Sequence, residues 1–210
     1  VLYEVANREK VRTMNWNLQQ EDLEDDVARL GYLDLAIVTS DGKARYVKGN
    51  STSELGDREY VKKAFKGEKN VSDVLISKVT NSAVLMFAVP IERGDEVVGV
   101  LIARNRGDAL NDITDEMGIG KEGYVYVVNQ EGTIVSHPNR DYVMSQTNII
   151  EEAKTNDTFK EVAAMLETTL VEKEGLGSYK FKGRNMYGGY SPIKGTDWIL
   201  INVALEEEFF

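Results

Sequence analysis

Asp34-Leu35-Ala36-Ile37-Val38-Thr39-Ser40-Asp41-Gly42-Lys43-Ala44-Arg45-Tyr46 is an apolar run of strand length, an acidic-Gly turn and a second short run. Gly123-Tyr124-Val125-Tyr126-Val127-Val128-Asn129-Gln130-Glu131-Gly132-Thr133-Ile134-Val135 repeats that order further along the chain. A second pair follows each copy. Ala83 to Ile91 and then Val97 to Ile102 are echoed by Met186 to Ile193 and then Trp198 to Val203. Two similar α/β modules in one chain are the simplest explanation.

The length of 210 residues accommodates one large domain or two of about 100 residues, and the repeat favours two. Hydrophobic residues make up 42% and charged residues 29%, a balance that buries a core rather than leaving the chain disordered. The net charge of -10 argues against nucleic-acid or anionic-membrane partners, which need a concentrated basic face. The absence of Cys removes disulfides, thiolate metal sites and Cys nucleophiles. No apolar stretch approaches the roughly 18 residues of a membrane span, and no basic-then-apolar leader opens the chain. It starts at Val1 without Met and stops at Phe210 after Leu205-Glu206-Glu207-Glu208, which reads as a segment of a longer protein cut at the start of a helix.

Residues 1–30 lack Gly and Pro, so a long helix is expected there. Its apolar stripes, Val11-Met14-Leu18 and Leu23-Val27-Leu30, suit packing on its own domain or pairing with a copy of itself in a homodimer. Gly31 ends it. The first module, 31–117, has a polar loop at Ser51 to Gly56 and a short helix from Arg58 to Phe65, with Asp57 as N-cap and Gly67 as terminator. Strands follow at Val71 to Ser77, Val84 to Ile91 and Val97 to Ala103, the last two joined through Arg93-Gly94-Asp95-Glu96, and then a connecting helix at Asp108 to Met117. The second module, 118–210, has two strands around Glu131-Gly132, a polar stretch, a helix near Thr158 to Leu170 and three strands between Gly177 and Val203. The expected fold class is α+β: a long N-terminal helix followed by two tandem PAS-like modules with antiparallel sheets.

The order of these features resembles the double Cache domain, the extracytoplasmic sensor of prokaryotic chemoreceptors, histidine kinases and cyclic-dinucleotide enzymes. The resemblance rests on the long leading helix, Ser40-Asp41-Gly42, Leu55-Gly56-Asp57-Arg58-Glu59-Tyr60, Ala64-Phe65-Lys66-Gly67, Val71-Ser72-Asp73-Val74, Ala88-Val89-Pro90-Ile91, Gly123-Tyr124-Val125 and Ser136-His137-Pro138. It covers essentially the whole chain. It implies a small-molecule sensor without catalytic activity, stacked away from the membrane, with transmembrane helices before Val1 and after Phe210. The ligand is expected in the first, membrane-distal module.

A binding site needs apolar walls and a few fixed polar groups. Arg58 can hold a carboxylate in its fork, Tyr60 can add a hydroxyl or a ring face, and Asp73 can accept from an ammonium. Tyr46, Leu75, Met86 and Arg104 complete the expected ligand-binding set. Amino-acid-binding members of the resembled family carry an Arg, an aromatic pair after it, a later Tyr, and an Asp ending the module's last strand. Here Arg58 and Tyr60 match, whereas Val61 and Leu75 stand at the second aromatic and the later Tyr, and Arg104 stands at the Asp. Arg104 would repel an α-ammonium and attract an anion, so an organic acid is the expected ligand, with an amino acid as the alternative.

Other features carry less. His137 alone makes no zinc site, and the resemblance implies a structural His-Pro there. Asp112, Asp115 and Glu116 read as a solvated face, and Gly118-Ile119-Gly120 lacks the context of a dinucleotide loop. Tyr179, Phe181, Tyr187 and Tyr190 either pack their sheet or line a second pocket. Acidic neighbours such as Asp25-Asp26 and Glu151-Glu152 point apart on a helix, so no catalytic set, metal or cofactor is expected. A dimerisation module with a vestigial pocket is the remaining alternative.

Overall fold

The computed structural model describes residues 1–77 and 82–209. The chain divides into two compact units, Val1–Arg106 and Gly107–Phe210. The N-terminal helical region therefore belongs to the first unit, and residues 107–117, expected in the first module, belong to the second.

In the first unit the leading helix is split into α1 (Leu2–Ala6), α2 (Glu9–Arg12) and α3 (Trp16–Arg29). Met14 adopts φ 56°, and the Asn15 side chain accepts from the Asn17 N–H, so the chain leaves one helix and caps the next. Asp26, buried on α3, receives Arg8 at 2.6 Å and also Arg29, which ties the segments together. Gly31 (φ 72°) ends α3 as expected.

A seven-stranded antiparallel sheet follows: β1 (Asp34–Val38), β2 (Lys43–Tyr46), β3 (Thr52–Glu54), β4 (Asn70–Val71), β5 (Leu75–Ile76), β6 (Ala83–Arg93) and β7 (Glu96–Arg106). Its order is β3-β2-β1-β7-β6-β4, with β5 also on β6. β3 occupies the stretch expected as a polar loop; its backbone pairs with the edge of β2, which needs no apolar alternation. The expected strand at Val71 to Ser77 is two short strands on one partner. Helix α4 (Glu59–Phe65) starts one residue later than expected: Arg58, not Asp57, is its N-cap, and no side chain closes that cap. Gly67 (φ 89°) terminates it.

Both faces of this sheet are covered. Leu35, Ile37, Val89, Ile91, Leu101 and Ala103 pack with Leu2, Val5, Val11, Leu23 and Val27 of α1–α3. Of the expected stripes, Val11, Leu23 and Val27 are thus used within their own unit, with Met14 and Leu30 partly buried beside them, whereas Leu18 is exposed. Ala36, Val38, Val84, Met86, Ala88, Val100 and Ile102 point the other way and pack with Tyr60, Val61 and Ala64 of α4.

The second unit begins with α5 (Asn111–Thr114), a single turn where a longer connecting helix was expected. Its polar residues are tied elsewhere: buried Asn111 donates to the His137 carbonyl at 2.6 Å, and Thr114 hydrogen-bonds Ser136 at 2.7 Å. Next come β8 (Tyr124–Val128), β9 (Ile134–Ser136), α6 (Arg140–Met144), α7 (Ile149–Glu152), α8 (Lys160–Glu172), β10 (Gly175–Phe181), β11 (Arg184–Pro192) and β12 (Ile199–Leu205). The segment read only as a polar stretch holds α6 and α7, capped by Asn139 and Asn148. At the end of the chain Glu206–Glu208 form a 3-10 turn, while Phe210 lies outside the described residues.

The sheet order is β10-β11-β12-β8-β9. In each unit the first strand is interior, flanked by the second strand on one side and the last on the other. The sequence repeat is therefore a repeat of topology.

The repeated acidic-Gly turn sets up a paired comparison. Gly42 has φ 84°, and a Cβ there would lie 2.7 Å from the Gly56 Cα, whereas at Gly132 (φ 80°) it would meet the Ile150 Cδ1 at 2.8 Å. Backbone cannot yield as a side-chain tip can. Gly42→Ala is expected to cost about 3 kcal/mol and Gly132→Ala about 1–2 kcal/mol, read by urea unfolding; equal costs would refute this account.

Candidate functional site

The expected site residues converge on the α4 face of the first sheet. Tyr46 on β2, Tyr60 on α4, Met86 on β6 and Leu75 on β5 share one apolar core. Arg104 on β7 is 8% exposed, and its guanidinium carbon lies 5.2 Å from the centre of the Tyr46 ring. Register explains the approach: Arg104 pairs across from Met86 on one side and from Asp34 on the other.

Sequence reasoning missed Asp34. It opens β1, is 3% exposed, and its Oδ2 stands 3.7 Å from the Arg104 Nη2. Its Oδ1 accepts backbone N–H groups from Leu35 at 2.8 Å and Lys48 at 3.0 Å. Burial pushes its carboxyl above the usual carboxylate range, against the pull of those donors and of Arg104. The available signal was a charge at the start of an otherwise fully apolar strand.

Arg104 is incompletely satisfied. Its Nε and Nη1 are buried and make no hydrogen bond among the described residues. The Nε of Arg58 is buried and unpartnered in the same way. Burial raises the Tyr46 hydroxyl's pKa, while Arg104 and Arg58 both pull it down, which puts both charges within reach of one phenol. Burial likewise pushes Tyr60 well up, so both tyrosines are neutral donors. Asp73 differs from the rest: it is exposed, in the stretch between β4 and β5. The arrangement thus offers apolar walls, two phenols and two guanidinium groups whose donors are not all used among the described residues.

A Cache domain family model matches residues 4–210. The chain belongs to the Cache domain family. That is a family of ligand-binding sensor domains. Among solved structures, this Cache domain is similar to the ligand-binding domain of the Pseudomonas aeruginosa amino acid chemoreceptor PctB in complex with L-Arg (16% identity, TM-score 0.70, 100% of this chain and 86% of that one). It is also similar to that of the Pseudomonas fluorescens chemoreceptor CtaA with L-isoleucine (15%, 0.73, 98% and 82%). The domain of Campylobacter jejuni Tlp3 with 4-methylisoleucine matches too (13%, 0.66, 98% and 76%). At these identities the likeness is one of fold. No curated protein matches the chain. Among the described residues no helix is long and apolar enough to cross a membrane.

Among the described residues, the second unit of this Cache domain buries no charged side chain. His137 instead sits among rings, 5.0 Å from Tyr142, 5.5 Å from Tyr124 and 5.8 Å from Tyr126 between centroids. Its Nδ1 accepts the Asn139 N–H at 2.9 Å. Of the four aromatics singled out from sequence, Tyr179 and Phe181 join this cluster, whereas Tyr187 and Tyr190 donate to Glu206 and Glu172.

Burial lowers the His137 pKa from 6.5 to about 4, with the charges of Lys182 and Arg140 acting in the same direction. Between those values the unfolded chain holds a proton that the folded chain does not. The contribution to stability is therefore complete above about pH 6.5 and declines as pH falls toward 4, by up to about 3 kcal/mol. His137 is the chain's single histidine, so its imidazole resonance is unambiguous. A proton NMR titration is expected to place the midpoint near 4, and a midpoint above 6 would show that the ring is solvated.

Proposed function

We propose that this Cache domain is the extracytoplasmic sensing part of a transmembrane signalling receptor, a chemoreceptor or a histidine kinase, and that its first unit binds a small organic carboxylate against α4. The observation that carries the reading is Arg104, buried at 8% exposure, with Nε and Nη1 unpartnered among the described residues and the Asp34 carboxylate 3.7 Å from its Nη2. Buried donors left unmade cost on the order of 1–3 kcal/mol each, and a ligand carboxylate removes that cost with a two-pronged, charge-assisted contact. Tyr46 and Tyr60 supply hydroxyl donors, and Met86 and Leu75 an apolar wall. The sensor is a binding domain without catalysis in this reading, since none of these residues forms a nucleophile and base pair.

A second reading is favoured by Asp34. Its buried carboxylate beside Arg104 can hold an ammonium, and the chemoreceptor domains with this fold were solved with L-Arg, L-isoleucine and 4-methylisoleucine. The amino-acid reading thus differs from the first in which member of the Asp34–Arg104 pair touches the ligand.

Isothermal titration with short mono- and dicarboxylates and with unmodified amino acids separates the two. Carboxylates are expected to bind, and Arg104→Met to weaken them by about a hundredfold, as for loss of one partner in a buried charged contact. Tight binding of amino acids alone, lost in Asp34→Asn, would replace the first reading with the second.

A further inference from the structure

The second unit contains an open groove of about 420 Å³ that the reading above does not use. Tyr124, His137, Tyr142 and Phe181 form its wall, and Lys182 stands at its rim. The same four rings also border a cage of about 30 Å³, too small for any ring. The groove itself falls in the range of small-molecule sites, roughly 300–1,000 Å³. Tyr126 and Tyr179 border the cage and are 2% and 6% exposed, and the Tyr179 hydroxyl interacts with those of Tyr126 and Tyr124.

The wall rings meet edge to face, at 62° for Tyr124 and His137 and 76° for His137 and Tyr142. Further flat rings extend such packing favourably. An aromatic wall by itself would also suit a cation, and the Glu122 carboxylate lines the groove, but Glu122 is already held by Arg184 while Lys182 is not held by a carboxylate among the described residues. Arg184 is engaged by Glu122 at 2.7 Å and by Glu207, and Arg140 is engaged by Asp115. Lys182 has no ion pair among the described residues, and its Nζ lies 5.3 Å from the centre of the Phe181 ring. The field of Lys182 and Arg140 is felt at His137, where it disfavours a proton and so would disfavour any other cation. Because the His137 Nδ1 accepts from Asn139, the neutral ring carries its proton on Nε2, a donor rather than an acceptor.

We propose that the second unit carries its own binding site for a flat aromatic carboxylate, with the ring against Phe181, His137 and Tyr142 and the carboxylate on Lys182. The site is independent of Arg104 and of the ligand assigned to the first unit. It gives the second copy of the module a receptor role of a different chemistry.

The test uses benzoate as probe, titrated calorimetrically into the whole chain carrying Arg104→Met, so that the first unit's carboxylate contact is absent. Saturable binding is expected, with Lys182→Met weakening it about fivefold, as for loss of an exposed charge-assisted contact, and Phe181→Leu weakening it further. Lys182 is exposed, so its replacement leaves the fold intact. Benzylammonium and cyclohexanecarboxylate serve as controls for charge and flatness, and both are expected to bind more weakly than benzoate. The proposal is overturned if benzoate does not saturate, if benzylammonium binds better, or if Lys182→Met and Phe181→Leu leave the affinity unchanged. None of these outcomes bears on Arg104, so this site and the first unit's site stand or fall separately.

Discussion

Parity along three central strands is the constraint on which the first unit depends. In β1, β6 and β7 the even-numbered residues face α4 and the odd-numbered residues face α1–α3, and both faces are dry. A slip of one residue in any pairing would exchange the two cores, and with large apolar side chains on both faces no slipped register keeps its packing. The same parity places Asp34 and Arg104. Both are even-numbered, so the fold that buries Ile102 and Ala36 against α4 delivers a carboxylate and a guanidinium to the end of that core. The site's charges are carried in by the register, and the apolar pattern upstream of them leaves no other place for them to go.

The duplication was legible because both of its ingredients are local. An acidic-Gly turn between short apolar runs fixes a strand, a turn with positive φ and a returning strand, and Gly42 and Gly132 meet that need in the same way. The division of the leading helix was less legible. Lack of Gly and Pro favours continuity, but Asn15 offers a cap, and Met14 lies so close over Gly99 that a Cβ there would stand 2.6 Å from the Met14 Cε. Tertiary packing against a glycine on a distant strand overrides local propensity. Asp34 was illegible for a related reason: its partner lies on the last strand of the unit, and only the β1–β7 register brings the two together. The ring cluster around His137 combines β8, β10 and α6 with the residues that precede it, and periodicity within one strand cannot reveal a wall built from several elements.

The electrostatics of the two units differ in kind. In the first, a loosely paired Asp34 and Arg104 sit in a core where an unmade contact is costly, so an incoming charge changes the energy of the site by more than its own contact area suggests. In the second, each strong cation near the groove except Lys182 already has its carboxylate, and the interior is neutral rings. A charged core selects by sign and geometry, whereas a ring wall selects by shape and flatness.

That contrast bears on how such a domain signals. A ligand shifts a conformational equilibrium only by the difference between its affinities for the two states, and a micromolar ligand has at most roughly 8 kcal/mol to divide between them. A contact that completes Arg104 is sharply geometry-dependent, because a two-pronged guanidinium contact is lost with a small displacement of β7 or α4. Ring stacking in the second unit tolerates small displacements and so discriminates less between states. If both proposed sites bind with equal affinity, they would therefore give unequal signals, the contact proposed for Arg104, whose buried donors are unmade among the described residues, depending more steeply on the positions of strand and helix.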